Sequence, residues 1–246
     1  VTRRLRRLAD VVAELEPGAD PAVLVASGEI EVDGFAVTNP EARVSAAARV
    51  RRRRPVGLRG EAKLSAALAA FDIDVLDRVG LDVGAAAGGF TRVLLGAGAR
   101  RVYAVDVGHG QLLGSLRQDP RVVNLEATNV ADLTPVLVPE PVEVVSIDVS
   151  YLSLSAAAAQ LDRIHLAPRA ELVGLVKPMF ELRRATAPVD DASLAGALAV
   201  AIAGVEAAGW QVVSSMASPV LGAHGARELL LHARWRVPEP RGEDGP

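Results

Sequence analysis

Seven short apolar runs in the second part of the chain, most of them separated by stretches with helical spacing, constrain the fold more than any other feature. They are "VGLDVG", "RVYAVDV", "RVVNLEA", "VEVVSIDVS", "AELVGLVKP", "QVVSSMAS" and "RELLLHARWRV". Among them lie "FTRVLLGAGA", "GQLLGSLRQ" and "SLSAAAAQLDRIHL", which read as helices. "DASLAGALAVAIAGVEAAGW" reads as a long helix ended by Gly209. Strands that alternate with helices pack as a parallel sheet covered on both faces. The last two runs have no helix between them, so one is expected to run antiparallel. The expected fold class is α/β, with a mostly parallel seven-stranded sheet and one antiparallel strand.

Residues 1–55 read as a separate small α/β module. Two short helices are expected, over 4–15 and 20–27. "EIEVDGFAV" then alternates around Asp33-Gly34, a strong hairpin signal, and "ARVSAAARVRRR" reads as a returning strand pair. A linker at 56–60, a larger domain over 61–238 and a disordered polar tail at 239–246 complete the expected organisation. Charge divides the same way. Residues 1–60 hold 11 arginines and eight acids, whereas the remainder is net acidic. The basic excess ends in "RVRRRRP", where Arg49, Arg51, Arg52, Arg53 and Arg54 could contact phosphates. A solvated linker explains the same run equally well.

Composition removes several function classes. Half the residues are hydrophobic, yet no apolar run is long enough to span a bilayer. "VTRRLRRLADVV" is basic but no apolar stretch of signal-peptide length follows it. There is no Cys, which excludes disulfides and thiolate metal sites and fits a cytoplasmic protein, and four scattered His point to no metal site.

"LDVGAAAGGFT" follows the first strand of the larger domain and opens a helix. Gly84 allows the turn, while Gly88 and Gly89 let backbone approach a ligand. The pattern lacks the G-x-G-x-x-G of a dinucleotide site. An acid, Asp82, precedes the first glycine and could meet a ligand ammonium. A second acid, Asp106, ends the next strand and could take both hydroxyls of a ribose. This combination suits S-adenosylmethionine better than a pyrophosphate.

Lysine is the other sparse signal. The chain has 25 arginines and two lysines, Lys63 and Lys177. Lys177 ends the fifth strand and Asp148 the fourth, so both should lie on the rim of the ligand crevice. Lys63 precedes the sheet and Glu228 opens the last strand. Methyl transfer to a hydroxyl needs a group that can take a proton, and lysine can do so where arginine cannot.

These residues carry a resemblance. The order Lys63, Asp148, Lys177, Glu228 resembles the Lys-Asp-Lys-Glu tetrad of FtsJ-like ribose 2′-O-methyltransferases. "GEAKL", "DVGAAAGGFT", "DVGHGQLLGSLRQDPRV", "DVSYLSL" and "VKPMFE" are similar to the motifs of one branch, the TlyA (haemolysin A-like) family. That family joins an S4 RNA-binding domain to a Rossmann-like S-adenosylmethionine methyltransferase domain and methylates cytidine ribose in ribosomal RNA. "SGEIEVDG" matches its S4 hairpin.

The resemblance implies Lys177 as activator of the 2′-hydroxyl, Asp148 as its positioner, and Lys63 and Glu228 as the rest of the network. It implies Asp82, Gly84, Ala85, Gly88, Gly89, Phe90, Asp106 and Asn129 around the donor, and ribosomal RNA or ribosomal subunits as partners. The chain departs from the family at Pro17-Gly18, where a Ser-Arg pair is usual. It departs again in "LRRATAPVDDA", which lacks glycine, and at Ala226, which replaces an asparagine. Alternatives are methylation of a different, small-molecule hydroxyl and a non-catalytic RNA-binding homologue.

Overall fold

The computed structural model describes residues 5–26, 28–52 and 58–236. The N-terminal module contains β1 (Leu5–Arg7), α1 (Leu8–Leu15), α2 (Pro21–Ala26), β2 (Ile30–Val32), β3 (Phe35–Ala36), β4 (Arg43–Ser45) and β5 (Val50–Arg52). Asp33 and Gly34 both take positive φ, as a two-residue hairpin turn of this sequence requires. Leu8, Val12, Leu24, Val25, Ile30 and Val44 form its core.

Two expectations fail here. Leu5–Arg7 are extended, because they pair with β4 before the chain turns into α1. The expected returning pair is therefore split. β5 joins β2 beside the hairpin, and β4 joins β1.

The larger unit begins with α3 (Arg59–Ala70). Leu58 is its N-cap, so Arg59 and Gly60 belong to a helix and not to the expected linker at 56–60. Residues 53–57, with Arg53 and Arg54, and the tail at 239–246 lie outside the described residues. There follow β6 (Val79–Val83), α4 (Gly89–Gly96), β7 (Arg101–Asp106), α5 (Gly114–Arg117), β8 (Val122–Glu126), β9 (Val142–Ile147) and α6 (Leu154–Ala158). The chain continues through β10 (Leu166–Val176), α7 (Pro178–Glu181), α8 (Asp191–Ala207), β11 (Trp210–Ala217) and β12 (Leu229–Trp235). The helix expected from "GQLLGSLRQ" shrinks to the single turn of α5.

The seven strands stand in the order β11-β12-β10-β9-β6-β7-β8. β12 runs antiparallel to both neighbours, and the pairs from β10 through β8 are parallel. Strand order reverses between β6 and β9, which opens a crevice outside the carboxyl ends of these strands. Alternation along each strand splits the core. Leu81, Val83, Tyr103, Val105 and Val145 pack on the side of α6 and α8, whereas Val102, Ala104, Val144 and Val173 pack on the side of α3 and α4. Runs that are apolar on both faces are what a sheet covered by helices on both sides demands.

The last residue of "VKPMFE" explains how one loop beside the crevice is fixed. Glu181 is buried, and its Oε1 accepts the Leu154 amide at 2.6 Å while Oε2 accepts the Ser155 hydroxyl at 3.4 Å. The side chain thus satisfies one free N–H group, that of Leu154, at the start of α6. Burial pushes its carboxyl above the ordinary value, against those two hydrogen bonds. Glu181→Ala removes the acceptor and is expected to cost about 1–2 kcal/mol of stability, as read by urea denaturation. Full stability in the alanine variant would contradict a capping part for this carboxylate.

Candidate active site

Four charged side chains that are distant in sequence converge at the carboxyl edge of the sheet. Lys177 follows β10, Asp148 follows β9, Glu228 precedes β12, and Lys63 projects from α3. The Lys177 Nζ lies 2.6 Å from Asp148 Oδ1, and the Lys63 Nζ lies 4.0 Å from Asp148 Oδ2 and 2.7 Å from Glu228 Oε2. The signs alternate along a chain Lys177–Asp148–Lys63–Glu228. Lys63 and Glu228 are buried, and Lys177 and Asp148 retain 13% and 22% side-chain exposure. All four line a cavity of about 320 Å³, with the Lys177–Asp148 end the more exposed. Gly84, Ala86, Met179 and Phe180 help to line the same cavity.

Two residues not singled out from the sequence complete this arrangement. Ser150 Oγ accepts a hydrogen bond from Lys177 Nζ at 2.8 Å; the signal for it was the serine within "DVSYLSL". Gly222 lies against Glu228, and a Cβ there would collide with that carboxylate. No local pattern in the sequence marks this contact, because it closes only in three dimensions.

The glycine-rich loop divides into parts with different duties. Gly84 has φ +89, and a Cβ on it would run into the Asp148 carbonyl, so bare backbone lets β6 and β9 end side by side. The Gly84 and Ala85 amides donate to the Val105 carbonyl, and Ala85 is buried. Asp106 accepts from the Ala86 amide at 2.8 Å and the Gly108 amide at 2.6 Å. It thereby sets the shape of the crevice wall. Asn129 uses its side-chain oxygen to accept from the Ala131 amide at 3.0 Å.

Other expectations for this loop are corrected. A Cβ on Gly88 would collide with Leu112 and Leu116, and one on Gly89 would crowd the start of α3. At these two positions the absence of a side chain is required by packing. Phe90 is buried against Gly60 and helps to join α4 to α3. Asp82 does not face the crevice either. It is fully buried on the α4 side of β6, where it accepts from Thr91 Oγ1 at 2.6 Å and Ser146 Oγ at 3.0 Å. A ligand ammonium cannot reach it; its carboxylate ties β6, α4 and β9 together beneath the loop.

In the small module, Arg49 is exposed, but Arg51 and Arg52 are committed. Arg51 pairs with Glu31 at 2.7 Å, and Arg52 bridges Glu29 at 3.0 Å and Glu16 at 3.1 Å. The expectation of a free arginine run is corrected for these two, because acids on β2 and around α1 face β5.

Residues 58–235 match the model of the FtsJ-like methyltransferases. The chain is 40% identical over 226 residues to "16S/23S rRNA (cytidine-2'-O)-methyltransferase TlyA" of Mycobacterium tuberculosis, covering 88% of this chain and 84% of that protein. It is 36% identical to "Hemolysin A" of Brachyspira hyodysenteriae, covering 69% of this chain and 73% of the relative. A solved structure carrying the hemolysin name, from Streptococcus thermophilus, superposes with a TM-score of 0.69 at 30% identity. That match covers 95% of this chain and 90% of the other.

The buried Asp82 carries a pH signature. Burial pushes its carboxyl up to about 6 from an ordinary 3.8; the Thr91 and Ser146 hydroxyls oppose this, and the charge of Asp148 adds to it. A carboxyl raised in the folded state binds its proton more tightly there than in the unfolded chain. Its stabilising contribution is full below the ordinary value and is lost as pH rises through about 6. Asp82→Asn removes this dependence. The stability of the wild type relative to that variant is expected to fall by on the order of 2–3 kcal/mol between about pH 4 and about pH 7, measured by denaturant titration at each pH. A difference that stays flat would mean that Asp82 titrates like an exposed carboxyl.

Proposed function

The chain belongs to the FtsJ-like methyltransferase family, and we propose that it transfers a methyl group from S-adenosylmethionine to a ribose 2′-hydroxyl of ribosomal RNA. The observation that carries this reading is the chain of alternating charges, buried at its Lys63–Glu228 end, beside a cavity walled in part by Gly84 and Ala86. The crevice fits the donor in kind. Gly84 gives part of its wall a bare backbone, and the Asp106 carboxylate shapes the adjoining loop, which suits a cationic ligand with ribose hydroxyls better than a pyrophosphate. Bound S-adenosylmethionine supplies an electrophilic methyl group.

Lys177 is the group assigned to the acceptor. An ammonium has three N–H groups. One of them donates to Ser150, and the ammonium is ion-paired with Asp148. An N–H group is left for an oxygen entering the cavity. In its neutral form the same nitrogen takes the acceptor proton, which a guanidinium cannot do. Asp148 fixes the Lys177 nitrogen, and Lys63 with Glu228 fixes Asp148. The Mycobacterium relative is named as a 16S/23S rRNA methyltransferase, which supports ribosomal RNA as this chain's substrate; on this reading it acts on ribosomal RNA or ribosomal subunits in the cytoplasm. No helix among the described residues is long and apolar enough to cross a membrane.

We assign the N-terminal module, residues 1–55, an S4-like part in docking the RNA. Arg49, exposed beside the ion-paired Arg51 and Arg52, is its first candidate for a phosphate contact. Arg49→Ser is expected to lower the salt dependence of RNA binding by about 0.7 in log–log slope, the loss of one contact to a single strand, in filter binding across a salt series. An unchanged slope would remove Arg49 from the interface.

The central test is transfer of labelled methyl groups to ribosomal RNA by the purified protein, with the modified position mapped as 2′-O-methyl. Lys177→Arg keeps the charge but loses the ability to take a proton. Its rate is expected to fall by roughly 10²-fold or more, with little change in donor affinity by calorimetry. Lys63→Arg, one step further from the acceptor, should cost less. A Lys177→Arg protein that turns over like the wild type would leave this lysine an ion-pair partner only.

A further inference from the structure

α7 ends in a Schellman motif. The Arg183 amide donates to the Phe180 carbonyl at 3.3 Å and the Arg184 amide to the Met179 carbonyl at 2.8 Å. The residue at the turn is Arg183, with φ +50, in the left-handed region where glycine is the usual occupant. A side chain here costs conformational energy. Nothing within the fold offsets that cost: Arg183 is exposed, and it forms no ion pair among the described residues. Its neighbour has a structural duty, since Arg184 Nη1 donates to Ser193 Oγ at 3.0 Å and ties the segment to the start of α8.

The location of this strained cation is informative. Met179 and Phe180, whose carbonyls close the motif, line the cavity in front of Lys177, and Ala187 lines it from the far side of the same segment. The two cations inside the cavity, Lys63 and Lys177, are already matched by Asp148 and Glu228. The rest of the wall around α7 is apolar. A strand of RNA that presents a 2′-hydroxyl to Lys177 brings phosphates to the cavity mouth, and the site's internal charges are balanced without them. Arg183 is the first exposed cation after the wall residues.

We propose that Arg183 is a phosphate-contact residue that seats the acceptor RNA strand at the mouth of the cavity, and that its left-handed backbone is retained for this contact. The proposal rests on the reading of the site as an RNA methyltransferase. It separates two effects that normally go together, because the residue best for the fold at this position is not the residue best for binding.

The test compares Arg183→Gly, Arg183→Gln and Arg183→Lys in the full chain. Thermal unfolding and methyl transfer to ribosomal RNA transcripts across a salt series are measured for each. Arg183→Gly is expected to raise Tm by about 2 °C or more, since it relieves the turn. It should also raise KM for RNA several-fold and reduce the salt slope by about 0.7. Arg183→Gln keeps the strain and loses the charge, so it should show the KM and slope changes without the gain in Tm. Arg183→Lys should retain most of the slope.

Wild-type KM and slope in the glycine and glutamine variants would overturn the phosphate contact. A fall in Tm for Arg183→Gly would overturn the account of the strain. If the wild type itself transfers no methyl group to ribosomal RNA, the underlying reading of the site fails and this proposal falls with it. An active wild type with unaltered variants sinks the proposal alone.

Discussion

The ion pair between Lys177 and Asp148, extended inward to Lys63 and Glu228, is the interaction on which the rest of this structure depends. Four charges at least partly withdrawn from water are tolerable only as a set. Removing one partner of a buried pair typically costs about 3–5 kcal/mol, because the other charge is left uncompensated. The set also dictates topology. Asp148 and Lys177 follow β9 and β10, and Glu228 precedes β12. Only because β12 runs antiparallel, with Leu229 opposite Val176, does its beginning lie at the same edge as their ends. The antiparallel strand is therefore what brings the fourth charge to the site.

Beneath that set lies a second layer that holds the first in place. Asp82 joins the hydroxyls of Thr91 and Ser146, and so links the loop helix α4 to β6 and β9. Gly84 then passes directly over the Asp148 carbonyl. The wall assigned to the donor and the carboxylate assigned to the acceptor are thus two ends of one packed unit. A fully buried carboxyl with a raised proton affinity is an energetic cost to the fold at neutral pH. Its position under the crevice is consistent with the tendency of such costs to gather at functional sites.

The small module shows how a basic run can mislead. Arg51 and Arg52 are not a free cationic strip, because Glu31, Glu29 and Glu16 meet them across β2, β5 and the end of α1. Only the Arg51 side of these pairs is well exposed, and Glu31 is buried. Their presence means that a phosphate must compete with carboxylates already in place, whereas Arg49 and Arg183 form no ion pair among the described residues.

Much of the fold was legible in the sequence, for a physical reason. Strands buried on both faces must be apolar throughout, and helices between them must repeat near 3.6 residues, so the seven strands and the antiparallel exception could be read from local pattern. The rarity of lysine among 25 arginines pointed to Lys63 and Lys177 without any structure. What local pattern could not decide was orientation. Asp82 and Gly84 are two residues apart, yet one lies in the core and the other on the crevice, because β6 ends at Val83 and the backbone turns at Gly84 with φ +89. Gly88, Gly89 and Phe90 read as a ligand loop, but their neighbours prove to be Leu112, Leu116 and α3. Ser150, Gly222 and the left-handed Arg183 gained meaning only when β10, β12 and α7 came together. Composition and periodicity are properties of neighbours along the chain, whereas the sign of each charge's partner is a property of neighbours in space, and only the tertiary structure supplies those.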